Sequence, residues 1–265
     1  MGAGTPIAAG MKDLSRSNIF WPETSGSEVL HENEIHVWLV RLDGSFCMRC
    51  GTQLLSTDEQ ERAEKFKFQN DRRRYTVAHT ALRLVLSQYA NVSASNLNFF
   101  ASAYGKPFLA TAPAGNIQFN LSHSHEVALI AVTEAREIGI DVEWIRKDFA
   151  FREVAERFFT EREVAALHSL PDNFQREAFY KCWTSKEAFL KAKGTGLSGQ
   201  LDEVEILFVP EEGVRVNGTI PNWTLEELHP CDGYAGALAV QGPECKLKCF
   251  QWQHTLKNPL IHRHT

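Results

Sequence analysis

Ile138-Gly139-Ile140-Asp141-Val142-Glu143 reads as a strand in which two carboxylates interrupt an apolar run. Side chains two apart on a strand point to one face, so Asp141 and Glu143 project together while Ile140 and Val142 turn the opposite way. The stretch opens the second of two similar halves. Upstream, Ile35 to Val40 is β-branched and aromatic, as strands are, and Ser56 with Glu59 forms a capping box for a helix through about Phe68. Ala78, Leu82, Val85, Leu86 and Tyr89 then recur at helical spacing, giving residues 72–90 one core face. Short strands follow at 97–101, 107–109, 117–121 and 127–133.

Downstream the order repeats. Thr160-Glu161-Arg162-Glu163 and Asp172 announce helices, the second a long run ending at Gly194. Strands return at 204–209, 214–216, 223–228, 234–240 and 247–252. Strand, long helix, strands, twice over, predicts an α+β fold with a pseudo-two-fold duplication. Each half is a long helix packed on an antiparallel sheet, and a ligand cleft lies between them. The expected organisation is an irregular leader over 1–34, rich in Gly, Ser, Pro and Thr, then an N-terminal half over 35–136 and a C-terminal half over 137–255.

The 265 residues suffice for a sizeable core. Lys plus Arg number 28 against 33 Asp plus Glu, a net charge of −5, which argues against nucleic-acid binding by bulk charge. No apolar run approaches the roughly 20 residues of a membrane helix, and the N-terminus lacks a secretory pattern. Cys47-Met48-Arg49-Cys50 lacks the partners a zinc site needs, so the six cysteines read as free thiols of a cytoplasmic protein. With no Walker loop and no Gly-x-Gly-x-x-Gly, any phosphate site is of another kind.

Two anions held on one strand face repel, and need a cation between them or a proton on one. A hard divalent ion such as Mg²⁺ suits oxygen ligands; an edge strand with two solvated acids is the plainer alternative. Trp183, Glu187 and Lys191 stack at i, i+4 and i+8 on a helix, where Glu187 could join a metal shell or act as a general base. Lys191 and Lys186 offer charge to phosphate oxygens, although a Glu and Lys four apart are more often a plain surface pair. The run Phe119-Asn120-Leu121-Ser122-His123-Ser124 leaves a strand with a cluster of hydrogen-bonding groups. No Gly-x-Ser-x-Gly surrounds Ser122, which argues against a hydrolase nucleophile. Arg62, Arg74 and Lys106 are candidate grips on a phosphate-rich ligand.

In chain order, Leu55-Ser56 with Arg62 and Phe66, Arg74 and Arg83, Tyr104-Gly105-Lys106-Pro107, Phe119 to Ser124, Ile138 to Glu143, Arg157-Phe158-Phe159 and Trp183-Thr184-Ser185-Lys186-Glu187-Ala188-Phe189-Leu190-Lys191 resemble the Sfp-type 4′-phosphopantetheinyl transferases. The resemblance spans roughly residues 35–240. It implies a monomer of two similar α+β halves. The implied reaction moves phosphopantetheine from coenzyme A to a serine of an apo acyl, peptidyl or aryl carrier protein, an acidic helical partner, with Mg²⁺ and release of adenosine 3′,5′-bisphosphate. By resemblance, Asp141, Glu143 and Glu187 are the metal-binding acids, and Glu187 and Lys191 the catalytic pair. Arg62, Arg74, Lys106, Ser122, His123 and Lys191 hold the coenzyme. Tyr75 departs from the pattern, standing where some members carry a small hydroxyl residue. The competing classes are a Mg²⁺-dependent nucleotide pyrophosphate hydrolase and a non-catalytic coenzyme A- or carrier-binding module.

Overall fold

The computed structural model describes residues 19–24, 28–44, 46–109, 116–195, 201, 204–209, 213–217, 222–243 and 245–253. In chain order, β1 (Glu23–Thr24) and β2 (Glu34–Arg41) precede three helices, α1 (Met48–Thr52), α2 (Thr57–Glu64) and α3 (Gln69–Ala90). A hairpin of β3 (Phe99–Ala101) and β4 (Pro107–Leu109) leads to β5 (Ile117–Ser124), β6 (Val127–Glu134) and β7 (Ile138–Trp144). Helices α4 (Phe151–Phe158), α5 (Glu161–Ser169) and α6 (Asp172–Lys193) follow. The chain closes with β8 (Glu205–Val209), β9 (Gly213–Asn217), β10 (Trp223–Leu228), β11 (Tyr234–Gln241) and β12 (Lys246–Trp252).

Period-two alternation sorts these elements into layers. On β2, Trp38 and Val40 turn to α3 and meet Val77, Ala81, Leu82 and Val85. Ile35, Val37 and Leu39, on the other face, meet Ile138, Ile140 and Val142 of β7 and Leu238 and Val240 of β11. The two sheets therefore pack face to face, α3 covers one, and α6 covers the other through Ala188, Ala192, Ala235, Ala237 and Ala239. Burying these aliphatic faces at about 25 cal/mol per Å² is the main stabilising force.

Both long helices end where the chain enters the left-handed region, α3 at Asn91 (φ 52°) and α6 at Gly194 (φ 68°). The capping boxes at Ser56 and Thr160 form as the spacing predicts, but α2 stops at Glu64 rather than near Phe68. Phe66 instead packs against Tyr75 with tilted rings 5.4 Å apart, and Phe68 is extended, starting α3 directly.

The duplicated α+β order holds, and the sheets depart from it in one respect. The larger sheet runs β1-β12-β2-β6-β5, and β12 pairs parallel to both β1 and β2. Thus Leu247 to Trp252, following the five strands β7 to β11 of the second half, returns to the first half's sheet, and that sheet is mixed rather than antiparallel. Most of the leader lies outside the described residues. Within it, Trp21 donates its indole N–H to the His229 carbonyl at 3.0 Å, and Ile19 and Trp21 pack on the core between the sheets.

Candidate active site

A missing side chain on β7 sets the geometry. A Cβ at Gly139 would fall on the Ala188 carbonyl oxygen and the Ala192 nitrogen of α6, so only glycine lets helix and strand approach this closely. Residues on β7 alternate as predicted: Asp141 and Glu143 rise toward α6, opposite Ala237 and Ala235 of β11, whose small side chains leave room. Glu187 and Lys191 come down from α6 onto the same place.

Lys191 Nζ donates to Asp141 Oδ1 at 2.6 Å and to Ser122 Oγ at 3.0 Å, and Ser122 Oγ donates to the same Asp141 oxygen at 2.8 Å. Glu143 Oε2 accepts from Ser124 Oγ at 2.7 Å. Glu187 is 9% exposed and its pKa is pushed up to about 7, first by burial and then by the charge of Asp141; Lys191 opposes the rise and Glu143 adds to it. Glu143 is likewise raised by burial and by Asp141, with Ser124 and Lys191 acting against the rise. One lysine thus faces three acids, and the charge of Asp141 raises the pKa of both glutamates, which marks a site short of positive charge.

Whether these acids suit a divalent cation can be judged from their own chemistry. The donors are all oxygens, as hard cations require, and Asp141 Oδ2 is buried without a hydrogen-bond partner, an arrangement that costs roughly 1–3 kcal/mol unless something positive occupies the space beside it. As the side chains stand, no group of three or more His, Cys, Asp or Glu among the described residues is placed to hold a metal ion. The acids fit a hard ion by their chemistry, and side-chain rotations would have to bring them together around it.

Beside this cluster lies a cavity of about 660 Å³, walled by α2, α3, the β3–β4 hairpin and the end of β5. Arg62, Ser122, His123 and Lys191, all candidates from sequence, line it. His123 opens onto the cavity yet has protein on most sides, so burial first, and then the charges of His79, Lys191 and Arg74, hold its pKa below the usual imidazole value. Two candidates stand off. Lys106 Nζ is engaged by Glu137 Oε2 at 2.8 Å and the Ala192 carbonyl at 2.8 Å, although Gly105 and Pro107 beside it line the cavity. Arg74 is held by Glu126 at 2.6 Å and Asp71 at 3.1 Å, outside the lining.

Lys186 corrects an expectation. It is 1% exposed, paired with Glu163 at 2.7 Å, and donates to the carbonyls of Leu201 and Val204, so it offers no charge to a phosphate. Helical phase is the reason: Glu187 and Lys191 share the face toward β7, while Lys186 lies around the helix toward α5 and β8.

Arg83 and Glu59, which the sequence offers as a motif residue and a helix cap without a shared role, form a buried hub in the cavity wall. Arg83, 1% exposed, donates to Glu59 Oε2 at 2.6 Å and to the carbonyls of Ala94 and Leu97. Burial alone would raise the Glu59 pKa, but bonds from His79, the Ser56 N–H and Arg83 hold it at about 2. Arg83→Ala leaves Glu59 without its guanidinium and is expected to cost about 3 kcal/mol. Urea unfolding checks this, and a loss below about 1 kcal/mol would remove the hub's structural role.

Residues 47–135 match a profile described as 4′-phosphopantetheinyl transferase, N-terminal, and residues 137–239 match the 4′-phosphopantetheinyl transferase superfamily. The 4′-phosphopantetheinyl transferase HetI of Nostoc sp. is 38% identical over 235 residues, covering 88% of this chain and 95% of that protein. The chain belongs to the 4′-phosphopantetheinyl transferases. More distant similarity extends to Sfp of Bacillus subtilis, 31% identical over 57% of this chain and 66% of Sfp. The human L-aminoadipate-semialdehyde dehydrogenase-phosphopantetheinyl transferase is 29% identical over 59% of this chain and 53% of its own length. The boundary between the two matched profiles falls just before β7, so in this transferase the acids of β7 and α6 lie within one match and most of the cavity wall within the other. No helix among the described residues is long and apolar enough to cross a membrane.

Proposed function

We propose that this transferase moves 4′-phosphopantetheine from coenzyme A to a serine of an apo acyl, peptidyl or aryl carrier protein and releases adenosine 3′,5′-bisphosphate. The observation that carries the reading is the Asp141–Ser122–Lys191 cluster at the wall of a coenzyme-sized cavity, with a buried Glu187 of raised pKa beside it.

The serine oxygen bonds to the phosphorus nearer the pantetheine, and the bridging P–O bond breaks with its electron pair leaving on the bisphosphate. Glu187, as carboxylate, takes the serine proton. Lys191 reaches from the acids to the cavity wall, so its ammonium can be shared between Asp141 and phosphate oxygens that gain charge as the leaving group departs. Arg62, Ser122 and His123 line the space for the coenzyme, and Lys106 and Arg74 would join only by leaving their present partners. Asp141, Glu143 and Glu187 would hold Mg²⁺, which when bound supplies Lewis-acid neutralisation of the pyrophosphate. That all six cysteines are free supports a reducing, cytoplasmic setting.

Intact-mass analysis of apo carriers incubated with the enzyme, coenzyme A and Mg²⁺ tests the reaction. The expected result is a carrier heavier by one phosphopantetheine. Free phosphopantetheine with unchanged carriers would instead establish a pyrophosphate hydrolase, and no product with any carrier would leave a binding module.

A further inference from the structure

Glu143 is anchored differently from its neighbour. Asp141 has two donors, Lys191 and Ser122, whereas the one side-chain donor to Glu143 among the described residues is Ser124. Ser124 belongs to a row on one face of β5. Asn120 Oδ1 accepts from the Ile140 backbone N–H at 2.9 Å, Ser122 donates to Asp141, and Ser124 donates to Glu143 while accepting from the Trp144 N–H at 3.1 Å. The strands β5 and β7 belong to different sheets, so these side-chain bonds, rather than a backbone ladder, hold the two edges together.

The bonding of Ser124 leaves its hydroxyl one orientation. A hydroxyl has one proton. The Trp144 N–H must be received by a lone pair, so the proton is free to point at Glu143 Oε2. That bond turns Oε2 toward β5, and Oε1 is the oxygen without a hydrogen bond among the described residues. We propose that Ser124 is a positioning residue, fixing the rotamer of Glu143 so that its second oxygen is presented to the cation held with Asp141 and Glu187. This rests on the metal-binding reading above. Ser124 touches neither substrate nor ion; it acts through the carboxylate it orients, as outer-sphere hydrogen bonds to metal ligands commonly do.

Mn²⁺ binding to the full chain, followed by electron paramagnetic resonance without coenzyme or carrier, tests the assignment. Ser124→Ala should weaken binding about ten- to a hundredfold, the usual cost of losing such a partner. Ser124→Thr, which keeps the hydroxyl, should restore it. In a Glu143→Gln background, Ser124→Ala should weaken binding no further, because the carboxylate through which it acts is already gone. Thermal melting of each variant separates positioning from folding: a lowered melting temperature with unchanged Mn²⁺ affinity would make Ser124 merely structural and overturn the proposal. An equal loss of affinity from Ser124→Ala in both backgrounds would also overturn it. If the wild-type chain binds no Mn²⁺, the metal-binding reading fails first and the positioning role with it.

Discussion

Glu187→Gln is expected to give a protein that is nearly inactive and, above neutral pH, more stable than the wild type. The amide matches the carboxyl in shape but cannot take the serine proton, so transfer should fall at least about a hundredfold, the lower end of what a positioned base contributes. The stability change follows from linkage. Glu187 has a pKa near 7 in the folded chain against an ordinary 4.5, so between those values the folded chain holds a proton that the unfolded chain has released. Stability in the absence of a divalent cation is therefore greatest below about 4.5 with respect to this group and falls as pH rises toward 7. Allowing for screening by its polar surroundings, the loss is on the order of 2 kcal/mol. Glu143 adds to the slope in the same direction, since its pKa is also raised. Replacing Glu187 should flatten the slope without abolishing it, leaving the part due to Glu143. Melting temperatures from pH 5 to 8 with a chelator present, beside the carrier-mass assay, measure both effects. A variant that transfers within a few-fold of wild type would remove Glu187 as the base, and one whose melting temperature at pH 8 does not rise would remove the raised pKa of its buried carboxyl.

That such a site could be located from sequence depends on where its information lies. The pairing of Asp141 with Glu143 was legible because strand geometry is local: two residues apart means one face, wherever the strand goes. The same holds for Glu187 and Lys191 on α6, four apart. Lys186 failed for a reason of the same kind, since one residue before Glu187 is far around the helix, and only the packing of α5 and β8 reveals that it points into a core. The roles of Lys106 and Arg74 in binding were inferred from motif position, while their partners Glu137 and Glu126 come from chain reversals that no local pattern specifies. Ser124 was written in the strand pattern as the third member of the alternation Asn120, Ser122, Ser124. What the alternation could not tell was which strand lay opposite, because β5 and β7 meet across sheet edges rather than as ladder partners. The parallel return of β12 was hidden for a similar reason: a short alternating strand carries its faces but not its neighbour.

Gly139→Ala should damage both fold and activity through a single methyl group. Its Cβ would meet backbone atoms of α6, the Ala188 carbonyl oxygen and the Ala192 nitrogen, rather than the end of a side chain that could swing away. Trimming a residue of α6 cannot relieve that contact, so either β7 bends or the helix lifts. Lifting α6 separates Lys191 from Asp141, now at 2.6 Å, and carries Glu187 away from the acids of β7. Overpacking of a close-packed core commonly costs 1–3 kcal/mol, and a clash with fixed backbone on both sides lies at or above the top of that range, about 4 kcal/mol. Gly105 provides the contrast. It also lacks a Cβ and lines the cavity, but open space surrounds it, so Gly105→Ala meets only the penalty of a positive φ of 84°, about 1 kcal/mol. Urea unfolding of the two variants should therefore rank Gly139→Ala far below Gly105→Ala. Mn²⁺ affinity should fall in the first, where the acids are pulled apart, and hold in the second, where they are not. If Gly139→Ala unfolds within about 1 kcal/mol of the wild type and still transfers phosphopantetheine, the close seating of α6 on β7 is not what assembles the site.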